Sequence, residues 1–384
     1  MNVPLRKCLI PEFILGDGAI KLASRYVNFF SPKKVLVVTD KGLRETKLVS
    51  KIEKQFTENK VAYCIFDHVS PNPRDHEVME GAQMYRKENC NVILAIGGGS
   101  AMDAAKGIGI VSTNFNAIER FEGVDKIADP MPPLVCIPTT AGTSADISQF
   151  AIILNSSEKT KMAIISKTVV PDTSLIDAET TLTMNAELTA ATGIDAMVHA
   201  FEAYASSASS AITDMNALEA IRLIKKYLPL TLKSPDNLKY RNKMMLASLL
   251  AGIAFSNASL GLVHAMAHAL GGLKDAAHGI CNAILLDHVV DFNYDAVPNK
   301  YIEIAKAMDL NLIHTSTERG KALLVETIQE FKYACGIREG LNQIGIHDAD
   351  IPHLAKKAFN DACIVTNPRD AEIADIQNIF RNAR

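Results

Sequence analysis

Five side chains in two apolar stretches of this sequence are of types that bind metal ions: Asp195 and His199 in one, and His264, His268 and His278 in the other. Asp195 and His199 stand four residues apart, so on a helix they share one face. His264 and His268 repeat that spacing. His278 follows beyond Gly271-Gly272, where the chain can fold back towards His264. A carboxylate on an apolar helix face is costly to bury unless it is paired or holds a metal. An Asp195–His199 pair would satisfy the first stretch alone, and a single histidine in the second would be an ordinary core residue. Three histidines within residues 264–278, together with an Asp-x-x-x-His elsewhere, point instead to one divalent ion. Imidazole and carboxylate ligands suit iron(II) or zinc and do not choose between them. Such a centre is a Lewis acid that favours the alkoxide of an alcohol or polarises an aldehyde carbonyl. A nicotinamide would take or give the hydride.

A second constellation offers the nicotinamide a place. Val92-Ile93-Leu94-Ala95-Ile96 runs into Gly97-Gly98-Gly99-Ser100 and then Ala101-Met102-Asp103-Ala104-Ala105-Lys106, which reads as strand, glycine turn, helix. Glycines let the backbone approach a ligand, and the free N–H groups of a helix start attract phosphate. An ordinary turn has no need of three glycines in a row. The common dinucleotide fingerprint differs, since Met102 stands where its third glycine belongs. Its ribose-binding acid also follows by about twenty residues. Here the candidate is Asp40, earlier in the chain at the end of Val35–Thr39. A carboxylate there accepts from ribose hydroxyls and repels a 2′-phosphate, so NAD is expected over NADP; capping of the next helix is the simpler role for it. Thr139 and Thr140, in Pro138-Thr139-Thr140-Ala141-Gly142-Thr143-Ser144, add hydroxyls at another strand end, where they either hold the ligand or satisfy the turn.

These residues need two kinds of scaffold. Up to about residue 180, short β-branched runs alternate with amphipathic stretches: Val35–Thr39, a helix near Leu43–Asn59, Val61–Phe66, a helix near Asp75–Glu88, Val92–Ile96, a helix from Ser100, Leu134–Pro138, then a strand pair at Phe150–Leu154 and Met162–Ile165. Such alternation builds a mostly parallel sheet covered on both faces. Beyond Thr181 helices follow one another: Asn185–Ala205 with Asn185 as N-cap, Ser210–Lys233, Leu238–Phe255, Gly279–Phe292, Thr317–Cys335 and Ile351–Asn360. The expected fold is an α/β Rossmann-like domain over residues 1–180 followed by an all-α metal-binding domain over 181–384, with the active site in the interdomain cleft.

Composition narrows the partners. The 384 residues carry 40 basic and 43 acidic side chains, a net charge of −3, so nothing favours nucleic acid or an anionic membrane. The seven cysteines are scattered without a C-x-x-C pair, which fits reduced thiols rather than a disulfide framework or a thiolate zinc site. The N-terminus lacks the long apolar core of a signal peptide, and a cytoplasmic location is expected. Met244–Leu273 has no Lys, Arg, Asp or Glu, long enough to span a bilayer, but Ser256-Asn257 and Gly261 break it and His264 and His268 lie in it. A buried helix pair is expected there.

The motifs together resemble the iron-containing (group III) alcohol dehydrogenases, relatives of the lactaldehyde, 1,3-propanediol and butanol dehydrogenases. The resemblance covers nearly the whole chain: Pro71-Asn72-Pro73, Gly97-Gly98-Gly99-Ser100-x-x-Asp103, Pro138–Thr143, Thr192-Gly193-Ile194-Asp195-Ala196 with His199, Gly261-Leu262-Val263-His264 with His268, His278-Gly279 with Asn282, and Asn367-Pro368-Arg369. It implies Asp195, His199, His264 and His278 as ligands, usually for Fe(II), with Zn(II) the other candidate. It gives His268 a place beside the nicotinamide as a proton relay. It implies that Asp40, Asn72, Gly98, Gly99, Ser100, Thr139, Thr140, Ser148, Phe150 and Lys161 hold NAD, that the substrate is a small primary alcohol or diol and its aldehyde, and that a homodimer or higher homo-oligomer forms through a shared strand near Leu9–Leu15. Departures fall at Ser144-Ala145-Asp146-Ile147-Ser148, where the family has Gly-Ser-Glu-Val-Thr, at Ala277 in place of proline, and at Lys274 in place of an aromatic residue. Lys274 would favour an anionic or polar substrate. The competing expectations are a zinc enzyme of the glycerol dehydrogenase or dehydroquinate synthase kind, and a catalytically silent NAD-binding relative.

Overall fold

A computed structural model describes residues 6–384 and divides the chain into two compact units, Ile10–Met184 and Asn185–Arg384, with residues 6–9 grouped with the latter. The first unit contains, in order, β1 (Glu12–Leu15), α1 (Ala23–Asn28), β2 (Val35–Val38), α2 (Lys41–Arg44), α3 (Lys47–Glu58), β3 (Tyr63–Phe66), α4 (Asp75–Lys87), β4 (Val92–Gly97), α5 (Gly99–Asn114), β5 (Gly123–Val124), β6 (Leu134–Pro138), β7 (Phe150–Asn155), β8 (Thr160–Ile165) and β9 (Thr173–Ile176). Six strands form one parallel sheet in the order β1-β9-β6-β4-β2-β3. A smaller sheet, β5-β8-β7, contains the antiparallel β7–β8 pair expected at 150–165.

The unbroken apolar runs of β2, β4 and β6 follow from burial on both faces. Val35, Val37, Leu94, Ile96, Val135 and Ile137 pack with Val27, Val49, Ile52 and Phe56 of α1 and α3. Their neighbours Leu36, Val38, Ile93, Ala95, Leu134 and Cys136 pack with Val78, Ala82, Ile108 and Val111 of α4 and α5. Each strand thus feeds two cores with a period of two. The single helix expected over Leu43–Asn59 is two helices. Asp40 caps α2, and Thr46, whose Oγ1 accepts from Leu48 N at 3.2 Å, restarts the chain as α3. The strand expected from Val61 begins at Tyr63, a short edge strand β1 lies within the Leu9–Leu15 segment where the resemblance implied one, and β9 was not anticipated.

The second unit is helical: α6 (Ala186–Ala205), α7 (Ala211–Lys233), α8 (Leu238–Ala258), α9 (Leu262–Lys274), α10 (His278–Asn293), α11 (Pro298–Ala307), α12 (Thr317–Ala334), α13 (Ile351–Phe359) and α14 (Ile373–Asn382). Asn185 caps α6 as expected, its Oδ1 accepting from Leu188 N at 2.8 Å. α6 packs against α7, α8 and α10, and α10 against α9. α10 starts at His278, one residue before the expected Gly279, and α11 and α14 were not anticipated. Residues 6–9 are tied down by Asn257 on α8, whose side chain accepts from Leu9 N at 2.7 Å and donates to Leu9 O at 3.1 Å. Among the described residues no single helix is long and apolar enough to cross a membrane. The α8–α9 pair meets that test only together, and it bends by 100° at the break. Both helices are largely buried within the unit.

Candidate metal and cofactor site

In the helical unit, three helices bring four candidate ligands together at Asp195. Asp195 and His199 occupy successive turns of α6, His264 lies in the first turn of α9, and His278 opens α10. Asp195, His199 and His264 are 1%, 3% and 1% exposed. Oδ1 of Asp195 lies 4.0, 3.9 and 3.8 Å from Nε2 of His199, His264 and His278. Asp195, His199 and His264 each bring one ligand atom within 4.8 Å of the others. Ligands at about 2.0–2.2 Å from one tetrahedral ion stand roughly 3.3–3.6 Å apart, so these side chains would close inwards on an ion, His278 moving furthest to join them. His278 has the most exposed side chain of the set, 25%.

The approach of α10 to α6 depends on Gly279. A Cβ there would collide with the carbonyl oxygen of Ala191, one turn before Asp195. Asn282, one turn further along α10, places its Nδ2 2.6 Å from Asp195 Oδ1 and 3.2 Å from Nε2 of both His264 and His278. This amide N–H group faces ligand atoms of three of the four residues, Asp195, His264 and His278, as a cation would. Its own Oδ1 is buried without a hydrogen-bond partner. The donor set therefore fits a divalent ion.

Two carboxylates that the sequence reading missed stand behind the histidines. Glu202 Oε2 is 2.6 Å from Nδ1 of His264. It follows Asp195 and His199 on the same face of α6, and that i, i+4, i+7 pattern was its available signal. Burial pushes its carboxyl up to about 7, against the N–H groups of Val263 and Gly261 and the nearby His199. Asp361 Oδ2 is 2.8 Å from Nδ1 of His268. Burial alone would raise the Asp361 carboxyl, but His268 and the donors of Cys363 outweigh it and hold it below the usual range. Nothing near position 361 in the sequence announced this pairing. The His268 ring stacks on His278, centroids 5.4 Å apart. Lys274 lies 3.8 Å from Asp350, which offsets the charge expected to favour anionic substrates.

The candidate cofactor residues belong to the α/β unit, His268 apart. Gly98 caps α5, and Gly99 and Ser100 are its first residues. Asn72 (φ +57) donates its N–H to Ser100 Oγ at 3.3 Å, and Thr139 donates its N–H to Gly97 O at 2.8 Å. A Cβ on Gly98 would stand 3.1 Å from Thr140 Cγ2, and one on Gly99 2.8 Å from Thr143 Cγ2. The turn is thus enclosed by hydroxyl-bearing neighbours with no room for side chains. Asp40 serves as a helix cap, Oδ1 accepting from Leu43 N at 2.8 Å, while Oδ2 lies towards Gly97. Ser148 and Phe150 are buried, and their carbonyls accept from the ammonium of Lys106 at 2.8 and 2.6 Å. Lys106 is fully buried, and its pKa is lowered by that burial. Lys161 pairs with Leu154 across β7–β8, and Leu154 donates its N–H to Pro73 O beside Asn72. In the divergent loop, Ala145 is packed into the core and Asp146 accepts from Ser174 at 2.6 Å. Both side chains face inwards.

A parallel sheet with a glycine turn opening a helix, joined to helices that gather an aspartate and three histidines, defines a class: metal-assisted, nucleotide-dependent oxidoreductases. Comparison with known proteins makes this specific. Residues 11–178 match the iron-containing alcohol dehydrogenase model, and residues 189–384 the C-terminal model of the Fe-containing alcohol dehydrogenase family. The chain is 40% identical over 378 residues to the 1,3-propanediol dehydrogenase of Citrobacter freundii, covering 98% of each. It is 36% identical over 373 residues to the NAD-dependent methanol dehydrogenase of Bacillus methanolicus, covering 97% of this chain and 98% of that one. A crystal structure of 1,3-propanediol oxidoreductase, 39% identical, superposes with a TM-score of 0.95 over 99% of this chain and 100% of that one. The chain belongs to the iron-containing alcohol dehydrogenase family. Its reaction is alcohol–aldehyde interconversion, which sets aside the glycerol dehydrogenase, dehydroquinate synthase and silent-relative alternatives.

Proposed function

We propose that this protein interconverts a small primary alcohol or diol and its aldehyde, using NAD and one Fe(II) held by Asp195, His199, His264 and His278. The observation that carries the reading is that Nε2 of His199, His264 and His278 each lies within 4.0 Å of Asp195 Oδ1, with the Asn282 amide against Asp195, His264 and His278. A divalent ion there supplies a Lewis acid for the substrate oxygen. Asp195 contributes the one negative charge among the four ligands and keeps the centre near +1. His268, with Nδ1 engaged by Asp361, keeps Nε2 as the nitrogen that accepts or returns a proton. The stacking of His268 on His278 fixes that ring next to the ligand set.

On the cofactor side, the N-terminus of α5 offers the N–H groups of Gly99 and Ser100 to the pyrophosphate. Thr139, Thr140, Asn72 and Lys161 complete its surroundings, Asp40 accepts from the ribose, and Ser148 and Phe150 shape the wall through Lys106. Support for NAD comes from the Asp40 carboxylate and from the methanol dehydrogenase relative, which is named as NAD-dependent. Support for a diol or short alcohol comes from the 1,3-propanediol dehydrogenase relative. A cytoplasmic homo-oligomer is the working state.

The test is metal analysis of protein purified without added metal, with NADH formation from ethanol, 1-butanol and 1,3-propanediol after anaerobic Fe(II) loading. One bound ion and turnover that chelation abolishes are expected. Turnover unaffected by chelation, or no turnover on any short alcohol or aldehyde, would overturn the reading.

A further inference from the structure

Glu202 stands outside the ligand set, yet it is almost fully buried and both its oxygens are committed. The reason begins with helix α9. Its N-cap is Gly261, which has no side chain to accept from the first orphaned N–H groups. Two side chains from elsewhere in the helical unit do so instead. Oε1 of Glu202 accepts from Val263 N at 2.6 Å, and Oδ1 of Asn367 accepts from Leu262 N at 3.2 Å. Only glycine fits at 261 without a shift, because a Cβ would stand 3.0 Å from both oxygens. Asn367, part of the Asn-Pro-Arg motif, is itself held by a reciprocal amide pair with Asn293 at 2.8 and 2.9 Å.

The second oxygen of Glu202 meets Nδ1 of His264 at 2.6 Å. In its ionised form the Glu202 carboxylate only accepts, so Nδ1 then carries the hydrogen and Nε2 is left with its lone pair. That Nε2 is the atom turned towards Asp195 Oδ1. We propose that Glu202 is a positioning residue for the metal centre, one carboxylate capping the helix that carries His264 and fixing that imidazole in the tautomer able to bind the ion. The proposal rests on the metal reading above. Charge supports it: a divalent ion with Asp195 leaves about +1, and Glu202 one imidazole away brings the total to zero. The same negative charge faces the positive end of α9.

Glu202→Gln separates the two roles. The amide oxygen can still accept from Val263 N, but the NH2 group then faces Nδ1 of His264. The ring must lose that hydrogen bond or shift to the Nε2–H tautomer, which has no lone pair for a metal. Loss of such an outer partner typically weakens metal affinity by about 10–100-fold.

The experiment titrates the metal-free protein with Zn(II), an oxygen-insensitive probe, against a chromophoric chelator, alongside thermal unfolding. In E202Q, affinity is expected to fall by about 10–100-fold while the metal-free Tm stays near that of the parent. In N367A, which loses a cap and leaves Asn293 buried without its partner, the metal-free Tm is expected to fall while affinity stays within about threefold. E202Q that binds Zn(II) within threefold of the parent, or N367A that loses as much affinity as E202Q, overturns the role of Glu202. A parent protein that binds no Zn(II) overturns the metal reading itself. If E202Q does not fold, 15N-histidine NMR of the metal-free parent at mildly alkaline pH decides: protonated Nδ1 on His264 supports the assignment, and protonated Nε2 refutes it.

Discussion

The two candidate sites, one in each unit, are built from opposite materials. Around the glycine turn of the α/β unit the candidate binding groups are mostly backbone N–H groups and hydroxyls, and only Asp40, an acceptor, and Lys161, a donor, carry charge among them. In the helical unit the groups are ionisable side chains, and His264 and His268 each have a buried carboxylate behind them. The difference reflects what each ligand brings. A pyrophosphate carries its own charge and asks for N–H donors and empty space close to the backbone. A metal ion asks for lone pairs, and for second partners that hold those lone pairs in the right tautomer. The first site is therefore sensitive to added volume, the second to removed or reversed hydrogen-bonding groups.

Substitutions sharpen this contrast. The largest effect is expected from Asp195→Ala, which removes the only charged ligand. Bound metal, measured by mass spectrometry, should be lost, and kcat/KM should fall by a factor on the order of 10³ or more, about 4 kcal/mol of transition-state stabilisation. Retained metal and activity would deny Asp195 its role. Next is Gly279→Ala, where the new methyl meets the Ala191 carbonyl. A backbone shift there should cost about 2–3 kcal/mol in denaturant unfolding and weaken metal binding through His278. An unchanged midpoint would mean the α6–α10 approach is looser than described.

Gly99→Ala should do the converse. Its Cβ would press on Thr143, so NADH affinity, read by fluorescence titration, should drop about tenfold, or about 1.4 kcal/mol, with metal content unchanged. Loss of metal in this variant would collapse the distinction between the two sites. Asp40→Ala should cost about 1 kcal/mol of stability through the lost cap, and should narrow the preference for NADH over NADPH. If the cofactor ratio does not move, Asp40 is a cap and nothing more. The smallest effect belongs to Lys274→Ala. A partly exposed pair with Asp350 is worth about 0.2–1 kcal/mol. Because Asp350 already offsets that ammonium charge, relative rates on acidic and neutral alcohols should stay nearly constant. A marked loss of rate on acidic alcohols alone would restore Lys274 as a selector.

Local chemistry carried much of this protein's description. The apolar runs of β2, β4 and β6 determined a parallel sheet because only strands buried on both faces are apolar at every position. Asp195 with His199, and His264 with His268, were legible because helical periodicity puts such pairs on one face. Asn185 announced the start of α6 by its side-chain oxygen. Of the breaks expected in the apparently membrane-length run, Gly261 marks the bend between α8 and α9, whereas Ser256-Asn257 continue α8 to Ala258.

What joins distant parts of the chain was decided by tertiary structure alone. Asp361 lies 93 residues from the histidine it orients, and no local pattern couples them. Asn367 caps a helix begun 105 residues earlier. Lys106 donates to two carbonyls, of Ser148 and of Phe150 at the start of β7, more than 40 residues away. Glu202 shared a face with the ligands, but its partners at Val263 and His264 emerge only when the N-terminus of α9 is brought to α6. Periodicity specifies which side of an element faces inwards. It is packing that selects which inward-facing groups meet, because a buried hydrogen bond is satisfied by whatever donor the fold delivers, at any distance along the chain.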